Sequence, residues 1–117
     1  MPREKFQTLT EQMFCILLCL KQERYGLDIL DMVPELTQGR VRVGSGTLYN
    51  LLEQFQEAGF IRETKVEGRR RSYILTEKGK DMLKKEYDRI LAQAQDYRSV
   101  FGEEEAKGEI QNAALRY

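Results

Sequence analysis

Three consecutive arginines, Arg69, Arg70 and Arg71, are the residues whose type and spacing best suit them to bind a ligand. A guanidinium group pairs with phosphate oxygens through a rigid fork of N–H donors. From Arg62 to Arg71 there are five Lys or Arg residues, Lys65 among them, and two acids, so this stretch is locally +3. We expect Lys65 and the three arginines to grip phosphates or the minor groove of a nucleic acid. The alternative is a turn whose charges are only solvated.

A second set of candidate residues opens a predicted helix over residues 45–58. Ser45 is suited to cap this helix, and small side chains at its start let the free N–H groups approach phosphates. An asparagine can pair with adenine through two hydrogen bonds, and a tyrosine can bond a phosphate or stack. We therefore expect Ser45, Thr47, Tyr49 and Asn50 to contact DNA. The alternatives are a partly buried Tyr49 and a merely solvated Asn50.

Residues for enzyme chemistry are missing from the pattern. The chain has no His, which removes His triads, His general bases and His metal ligands. We find no metal-ligand cluster and no glycine-rich phosphate loop, so we expect neither an enzyme nor a cofactor. Cys15 and Cys19 lie four residues apart in an apolar run, which predicts two buried thiols acting as small hydrophobes. A redox sensor is the sharper alternative, although nothing basic lies close in sequence to lower a thiol pKa.

Composition bounds the class of protein. The 117 residues fit one domain with a single core, and 19 basic residues balance 19 acidic ones. The longest apolar run, residues 13–20, is far shorter than the roughly 20 residues of a membrane span. The N-terminus has no apolar stretch typical of a signal peptide. We therefore expect a cytoplasmic protein with no membrane partner.

Hydrophobic periodicity predicts the elements that position the first candidates. Apolar spacing indicates a buried helix over residues 9–22 and a second helix from Gly26. Because Pro34 lacks an amide donor, the second helix should end or kink near Val33. Residues 40–43 alternate with period two, which predicts a short strand with both arginines on one face.

The second half of the chain predicts a hairpin and a long helix. Gly59 should end helix 45–58, and strands 60–66 and 69–75 should pair around a turn at Glu67–Gly68. Tyr73 on the returning strand is expected in the core. Thr76 should cap the last helix.

The last helix carries an apolar seam with gaps of 4, 3, 4, 3 and 4 residues. Such a heptad pattern favours pairing with a second helix, although a stripe covering the protein's own core is the alternative. Aromatic members of the seam can line a cavity for an aromatic small molecule. The predicted interface residues are Leu83, Tyr87, Ile90, Ala94, Tyr97 and Phe101.

This order of elements predicts a mainly α, α+β fold, a winged helix-turn-helix with a long C-terminal dimerisation helix. We expect a DNA-binding domain over residues 1–75, the dimerisation helix over 76–101, and a flexible or weakly helical tail over 102–117. In this arrangement helix 45–58 enters the major groove and the hairpin forms the wing.

Four motifs give the chain a specific resemblance. Tyr25-Gly-Leu-Asp-Ile, Gly46-Thr-Leu-Tyr-Asn-Leu-Leu, Glu57-Ala-Gly-Phe-Ile and Arg71-Ser-Tyr-Ile-Leu-Thr-Glu-Lys-Gly resemble the PadR family of bacterial transcriptional regulators in order and spacing. The short length and single C-terminal helix resemble the smaller PadR subfamily. The resemblance implies a homodimeric repressor that is dimerised through the C-terminal helix and often released from DNA by a small molecule.

Two departures from the family pattern affect these implications. Asn50 stands where the family usually has Pro, so operator preference is expected to differ. The chain has no Trp to stack planar drugs, which argues against a drug pore of that type. We therefore predict a homodimeric repressor of a palindromic operator on double-stranded DNA. The alternative is a winged-helix protein-interaction module, favoured by the zero net charge and the acidic run at 103–105.

Overall fold

The computed structural model describes residues 6–102, which form four α-helices, three strands and one 3₁₀ turn. The chain divides into two compact units, with the boundary at Lys84 and Lys85 inside the last helix. No helix in the described range is long and apolar enough to cross a membrane. In chain order the elements are α1 (Glu11–Cys19), β1 (Arg24–Tyr25), the 3₁₀ turn Gly26–Asp28, α2 (Ile29–Leu36), α3 (Ser45–Ala58), β2 (Ile61–Glu67), β3 (Arg70–Leu75) and α4 (Glu77–Phe101).

The core lies between the first three helices and the sheet. Apolar side chains that are almost completely buried come from α1 and α3, including Ile16, Leu17, Leu48 and Phe55. Their spacing follows the helical periodicity of the sequence, since residues three and four apart share one face. The observed burial therefore confirms the core faces that the amphipathic pattern predicted.

The sheet has the strand order β1-β3-β2 and is antiparallel throughout. β2 and β3 pair from Ile61 opposite Leu75 to Glu67 opposite Arg70, and Thr64 is an extra residue that forms a bulge. Gly68 adopts a φ of 63° in the turn, a conformation that glycine takes at little cost. The turn lies at Gly68–Arg69, one residue later than predicted.

Strand β1 was not predicted. Its two residues pair with β3, Arg24 opposite Tyr73 and Tyr25 opposite Ser72. A strand this short cannot show an alternating pattern in the sequence. Its pairing ties the link between α1 and α2 to the hairpin.

The prediction of a strand over residues 40–43 is wrong. This segment lies outside every described strand pairing, yet Val41 and Val43 are buried while Arg40 and Arg42 are exposed. The segment is held by Thr37, whose Oγ1 accepts the Val41 N–H at 3.0 Å. The period-two pattern therefore reflects an extended segment packed on the core rather than a hydrogen-bonded ladder.

The second helix was predicted to end or kink near Val33, and it does not end there. Helix α2 begins at Ile29 after the 3₁₀ turn and continues past Pro34 to Leu36. Proline removes only its own N–H, and the Val33 carbonyl still accepts bonds from the N–H and the hydroxyl of Thr37. The first helix is shorter than predicted, because α1 covers Glu11–Cys19 and is capped by Thr10.

The start of α4 confirms the predicted cap. The Thr76 hydroxyl oxygen accepts the Gly79 N–H at 3.1 Å and the hydroxyl donates to the Gly59 carbonyl at 2.5 Å. A Cβ on Gly79 would lie 2.1 Å from the Phe60 carbonyl oxygen, so only glycine allows this approach. α4 has 25 residues and is therefore about 37 Å long at 1.5 Å per residue. Residues 103–117, and with them nearly all of the predicted tail, lie outside the described range.

Candidate nucleic-acid interface

Helix α3 has one buried and one exposed face. Its bounds, Ser45–Ala58, match the prediction, and Gly59 ends it with a φ of 82°. Leu48, Leu51, Leu52 and Phe55 are buried. The candidate DNA-contacting residues of the helix, Ser45, Thr47, Tyr49 and Asn50, are all exposed, with Tyr49 at 44%.

Ser45 is the first helical residue rather than the cap, which corrects the prediction. Gly44 takes the N-cap position with extended backbone and has no side chain to accept a bond. The first-turn N–H groups of an α-helix have no partner within the helix. With Gly44, Ser45 and Gly46 exposed, the start of α3 combines free donors with little steric bulk, which suits the approach of an anion.

The wing, defined here as residues 62–71 of the hairpin, carries exposed cations with different surroundings. Arg71 donates to Glu63 Oε2 at 3.0 Å, and Lys65 Nζ lies 3.8 Å from Glu23. The Arg70 guanidinium lies 4.8 Å from the centre of the Tyr25 ring. The side chain of Arg69, in the turn, contacts no charged or aromatic partner among residues 6–102. Of the three arginines at the hairpin tip, Arg69 is thus the one that no described group holds.

Tyr25 is a residue that the sequence reasoning missed. Its hydroxyl donates to Glu67 Oε2 at 3.0 Å while its ring contacts Arg70. In the sequence Tyr25 appeared only as the first residue of a family motif, with no contact assigned to its side chain. A contact across 42 residues leaves no local signal, so nothing in the pattern linked this ring to the wing.

Gly26 lies where α3 and the sheet approach each other. A Cβ at Gly26 would come within 3.2 Å of Leu52, 3.3 Å of Tyr73 and 3.4 Å of Tyr49 side-chain atoms. Tyr73 is buried, as predicted. The missing side chain therefore lets helix α3 and strand β3 pack closely.

The predicted seam on α4 is partly exposed. Tyr87, Ile90 and Phe101 are 50%, 43% and 57% exposed, and Ala94 is exposed as well. Tyr97 stacks on Phe101 with ring centres 4.9 Å apart. Leu83 is partly buried against the core of its own unit.

Both thiols are buried, as predicted. Burial raises the pKa of the Cys19 thiol to about 11, and the neighbouring Cys15 adds to this rise. The pKa of Cys15 is also raised by burial. Both thiols are therefore protonated at neutral pH and pack as small apolar groups. Among residues 6–102 no three His, Cys, Asp or Glu side chains are grouped to hold a metal ion.

Helices α1 to α3 and the antiparallel sheet, with α3 exposed on one face and a basic hairpin after it, define a winged helix-turn-helix of the α+β class. The sequence model of the transcriptional regulator PadR-like family matches residues 16–85, more than half of the chain. The chain therefore belongs to the PadR-like family of transcriptional regulators, as the four motifs indicate.

Solved structures share this fold. RosR from H. salinarum is 22% identical, with 94% of both chains covered and a TM-score of 0.64. A PadR-like transcription factor from Bacteroides fragilis is 28% identical over 75% of this chain and 87% of its own, with a TM-score of 0.63. PcaV from Streptomyces coelicolor, solved in complex with its natural ligand, is 15% identical over 94% and 74%, with a TM-score of 0.68. No match is found among curated proteins.

Proposed function

We propose that this protein is a homodimeric repressor that binds a palindromic operator in the cytoplasm and acts by binding rather than catalysis. The observation that carries the proposal is the pairing of an exposed helix start with a basic wing in a chain of zero net charge. Clustered cations in a neutral chain concentrate the attraction for phosphate on one surface.

In this proposal α3 enters the major groove. Ser45 and Thr47 lie at its N-terminus, where small side chains and free N–H groups suit phosphate contacts. Tyr49 and Asn50 are exposed one turn further on, and Asn50 offers the donor and acceptor pair that recognises adenine. Base edges supply specificity, so we assign operator preference mainly to Asn50.

The wing would grip the adjacent backbone. Lys65, Arg69, Arg70 and Arg71 are exposed and supply four of the cations of the locally +3 stretch. Each neutralised phosphate releases counterions, which makes affinity strongly salt-dependent. We therefore assign general affinity and salt sensitivity to the wing.

The proposed dimer forms through α4. Tyr87, Ile90, Ala94, Tyr97 and Phe101 repeat at heptad spacing and leave apolar surface exposed in one protomer. A twofold axis between two α4 helices matches the symmetry of a palindromic operator. We keep residues 1–75, 76–101 and 102–117 as the proposed DNA-binding domain, dimerisation helix and tail.

An aromatic small molecule is the proposed effector. Tyr97 and Phe101 offer stacked rings on the seam, and a tyrosine adds a polar tip to an apolar surface. PcaV, which has a similar fold, was solved with its natural ligand. Binding between paired α4 helices would change the spacing of the two recognition helices and thereby release DNA.

The experiment that tests this proposal is fluorescence anisotropy with the DNA upstream of the protein's own reading frame. A scrambled duplex of equal length serves as the control at two salt concentrations. We expect tighter, salt-sensitive binding to the upstream DNA. If the operator lies elsewhere, a selection from random-sequence duplexes will identify it. Failure to enrich any duplex would contradict sequence-specific binding.

The second candidate function is a protein-interaction module without a DNA role. Leu27 and Leu36 are 54% and 52% exposed in the first unit, which provides apolar surface for a partner protein. The zero net charge also favours it. Failure of the protein to be retained on a DNA column at low salt would support this function over the first.

A further inference from the structure

The two ends of the wing turn meet at one aromatic side chain. Glu67 and Arg70 are the last paired residues of β2 and β3, and Gly68–Arg69 connects them. The Tyr25 hydroxyl donates to Glu67 Oε2 at 3.0 Å, and the Arg70 guanidinium lies 4.8 Å from the ring centre. Tyr25 therefore contacts the residue before the turn and the residue after it.

The backbone at Tyr25 is itself anchored. β1 pairs with β3, placing Tyr25 opposite the buried Ser72, and the next residue is the closely packed Gly26. The Tyr25 ring is half-buried, so part of its surface is fixed by packing. It connects the wing turn to the helical core in addition to the ladder between β2 and β3.

The three arginines at the hairpin tip differ in the partners of their side chains. Arg70 is held by the Tyr25 ring and Arg71 by Glu63, whereas Arg69 has no such partner among residues 6–102. A cation over an aromatic face gains electrostatic attraction from the ring. Arg70 therefore contributes to the geometry of the turn as well as to the positive charge of the wing, and Arg69 is free to meet an external anion.

We propose that Tyr25 is a positioning residue that fixes the Gly68–Arg69 turn and so presents Arg69 to a DNA phosphate. This inference rests on the proposed DNA-binding function. A turn that is already ordered before binding loses less conformational freedom when DNA binds. If the turn and its long arginine side chain became ordered only on binding, the lost entropy would lower the affinity. Tyr25 acts through Arg69 rather than through its own contact with DNA.

A double-mutant cycle tests this coupling. We expect Tyr25→Leu to weaken DNA binding about two- to tenfold and to reduce the salt slope by about one phosphate contact. In an Arg69→Ala background the same Tyr25→Leu change should have little further effect, because the residue that it positions is gone.

Arg62 provides the matched control. Arg62 is an exposed residue of β2, and its side chain makes no ion pair with residues 6–102 and does not contact Tyr25. In an Arg62→Ala background, Tyr25→Leu should retain its full effect. An equal effect of Tyr25→Leu in both backgrounds, or no effect in the wild type, would overturn the proposal.

A measurement on the free protein separates this proposal from DNA binding itself. We expect ¹⁵N order parameters of Gly68 and Arg69 to fall from about 0.85 towards 0.6 in Tyr25→Leu. Tyr25→Phe keeps the ring over Arg70 and loses the bond to Glu67, so it should give an intermediate value. If both variants leave the turn as ordered as in the wild type, Tyr25 does not position it. Loss of order in a protein that binds no DNA would leave the turn contact standing and reject the DNA-binding function.

Discussion

Gly79 marks the place where a single added carbon would disturb the fold most directly. A Cβ there would lie 2.1 Å from the Phe60 carbonyl oxygen and 2.9 Å from a Leu75 methyl carbon. The carbonyl is backbone and accepts the Thr76 N–H, so it cannot turn away cheaply. The start of α4 is therefore fixed against Phe60, the residue before β2, by the absence of a side chain.

We expect Gly79→Ala to lower the free energy of unfolding by about 3 kcal/mol or more, since overpacking against backbone forces the helix start to move. Gly46→Ala is the control, because nothing lies within 4 Å of a Cβ at that exposed helical position. The control should change stability by no more than about 1 kcal/mol. Urea unfolding of both variants measures this, and equal effects would contradict the packing argument.

Cys19 gives a pH dependence that follows from burial. The folded-state pKa is raised from 9.0 to about 11, so the folded protein disfavours the thiolate. The stability contributed by the protonated thiol is complete below pH 9 and is lost as pH rises towards 11. We expect the loss of stability between pH 9 and 11, under reducing conditions, to be smaller in Cys19→Ala than in the wild type. Urea unfolding at pH 8 and pH 10.5 measures this. An equal shift of the urea midpoint between the two pH values in both proteins would contradict the expectation.

Residue types alone predicted the exposure of Tyr49 and Asn50 and the burial of Tyr73, because helical and strand periodicity assigns a side chain to a face. They did not predict Tyr25, whose role depends on a contact between distant segments. Ser45 was assigned as the cap because it has the better capping side chain. The chain instead caps α3 with the backbone of Gly44.

At the scale of elements, the wing is expected to supply affinity and α3 to supply specificity. The cations of the wing are exposed and clustered, whereas Asn50 is a single exposed amide on a helix. Phosphate contacts are insensitive to sequence and base-edge contacts are not. The two elements should therefore fail in different ways when altered.

Replacing Arg69, Arg70 and Arg71 together by Ala should weaken binding to every duplex and flatten its salt dependence. The reason is the loss of counterion release at up to three phosphates. Anisotropy titrations on operator and scrambled DNA at several salt concentrations measure both quantities. An unchanged affinity and salt slope would remove the wing from the mechanism.

Asn50→Ala should change sequence preference more than general affinity. A good two-bond contact to one base discriminates by about 1–3 kcal/mol, and this discrimination should disappear at one operator position. A panel of single-base operator variants measures it, with Gln54→Ala, one turn along the same helix, as the control. A uniform loss across the panel would make Asn50 a backbone contact.

Elements with strong periodicity were predicted well, and short or irregular ones were not. The bounds of helix 45–58 were predicted because apolar spacing and Gly59 both mark them. The segment at 40–43 has the alternating pattern of a strand because Val41 and Val43 face the core. An extended segment without strand pairing gives the same alternation, so the sequence pattern does not separate the two. Pro34 shows that a proline near a helix end removes only one bond.

At the scale of the whole molecule, the exposed apolar side chains of α4 are the feature to be explained. Tyr87, Ile90 and Phe101 are 50%, 43% and 57% exposed and recur at heptad spacing along one face of the helix. A second copy of the chain would cover them, and its mass would double the 13.7 kDa of one protomer.

We expect the wild type to sediment at about twice 13.7 kDa and Ile90→Glu to sediment as a monomer, because a charge buried in the seam costs several kcal/mol. Ala92→Glu adds the same charge about half a turn away on the helix and should remain dimeric. Truncation after Leu83 should also give a monomer. If Ile90→Glu and the truncated chain both stay dimeric, the interface lies elsewhere.

Gly26 limits how this protein can change its target sequence. A Cβ at this position would contact Leu52 and Tyr49 of α3, the proposed recognition helix, and Tyr73 of β3. A larger residue there would alter the distance between α3 and the hairpin, whereas a change at Asn50 leaves that distance alone. Libraries selected for new operators should therefore accumulate changes on the outer face of α3 and keep glycine at 26, so that new specificities arise on an unchanged frame.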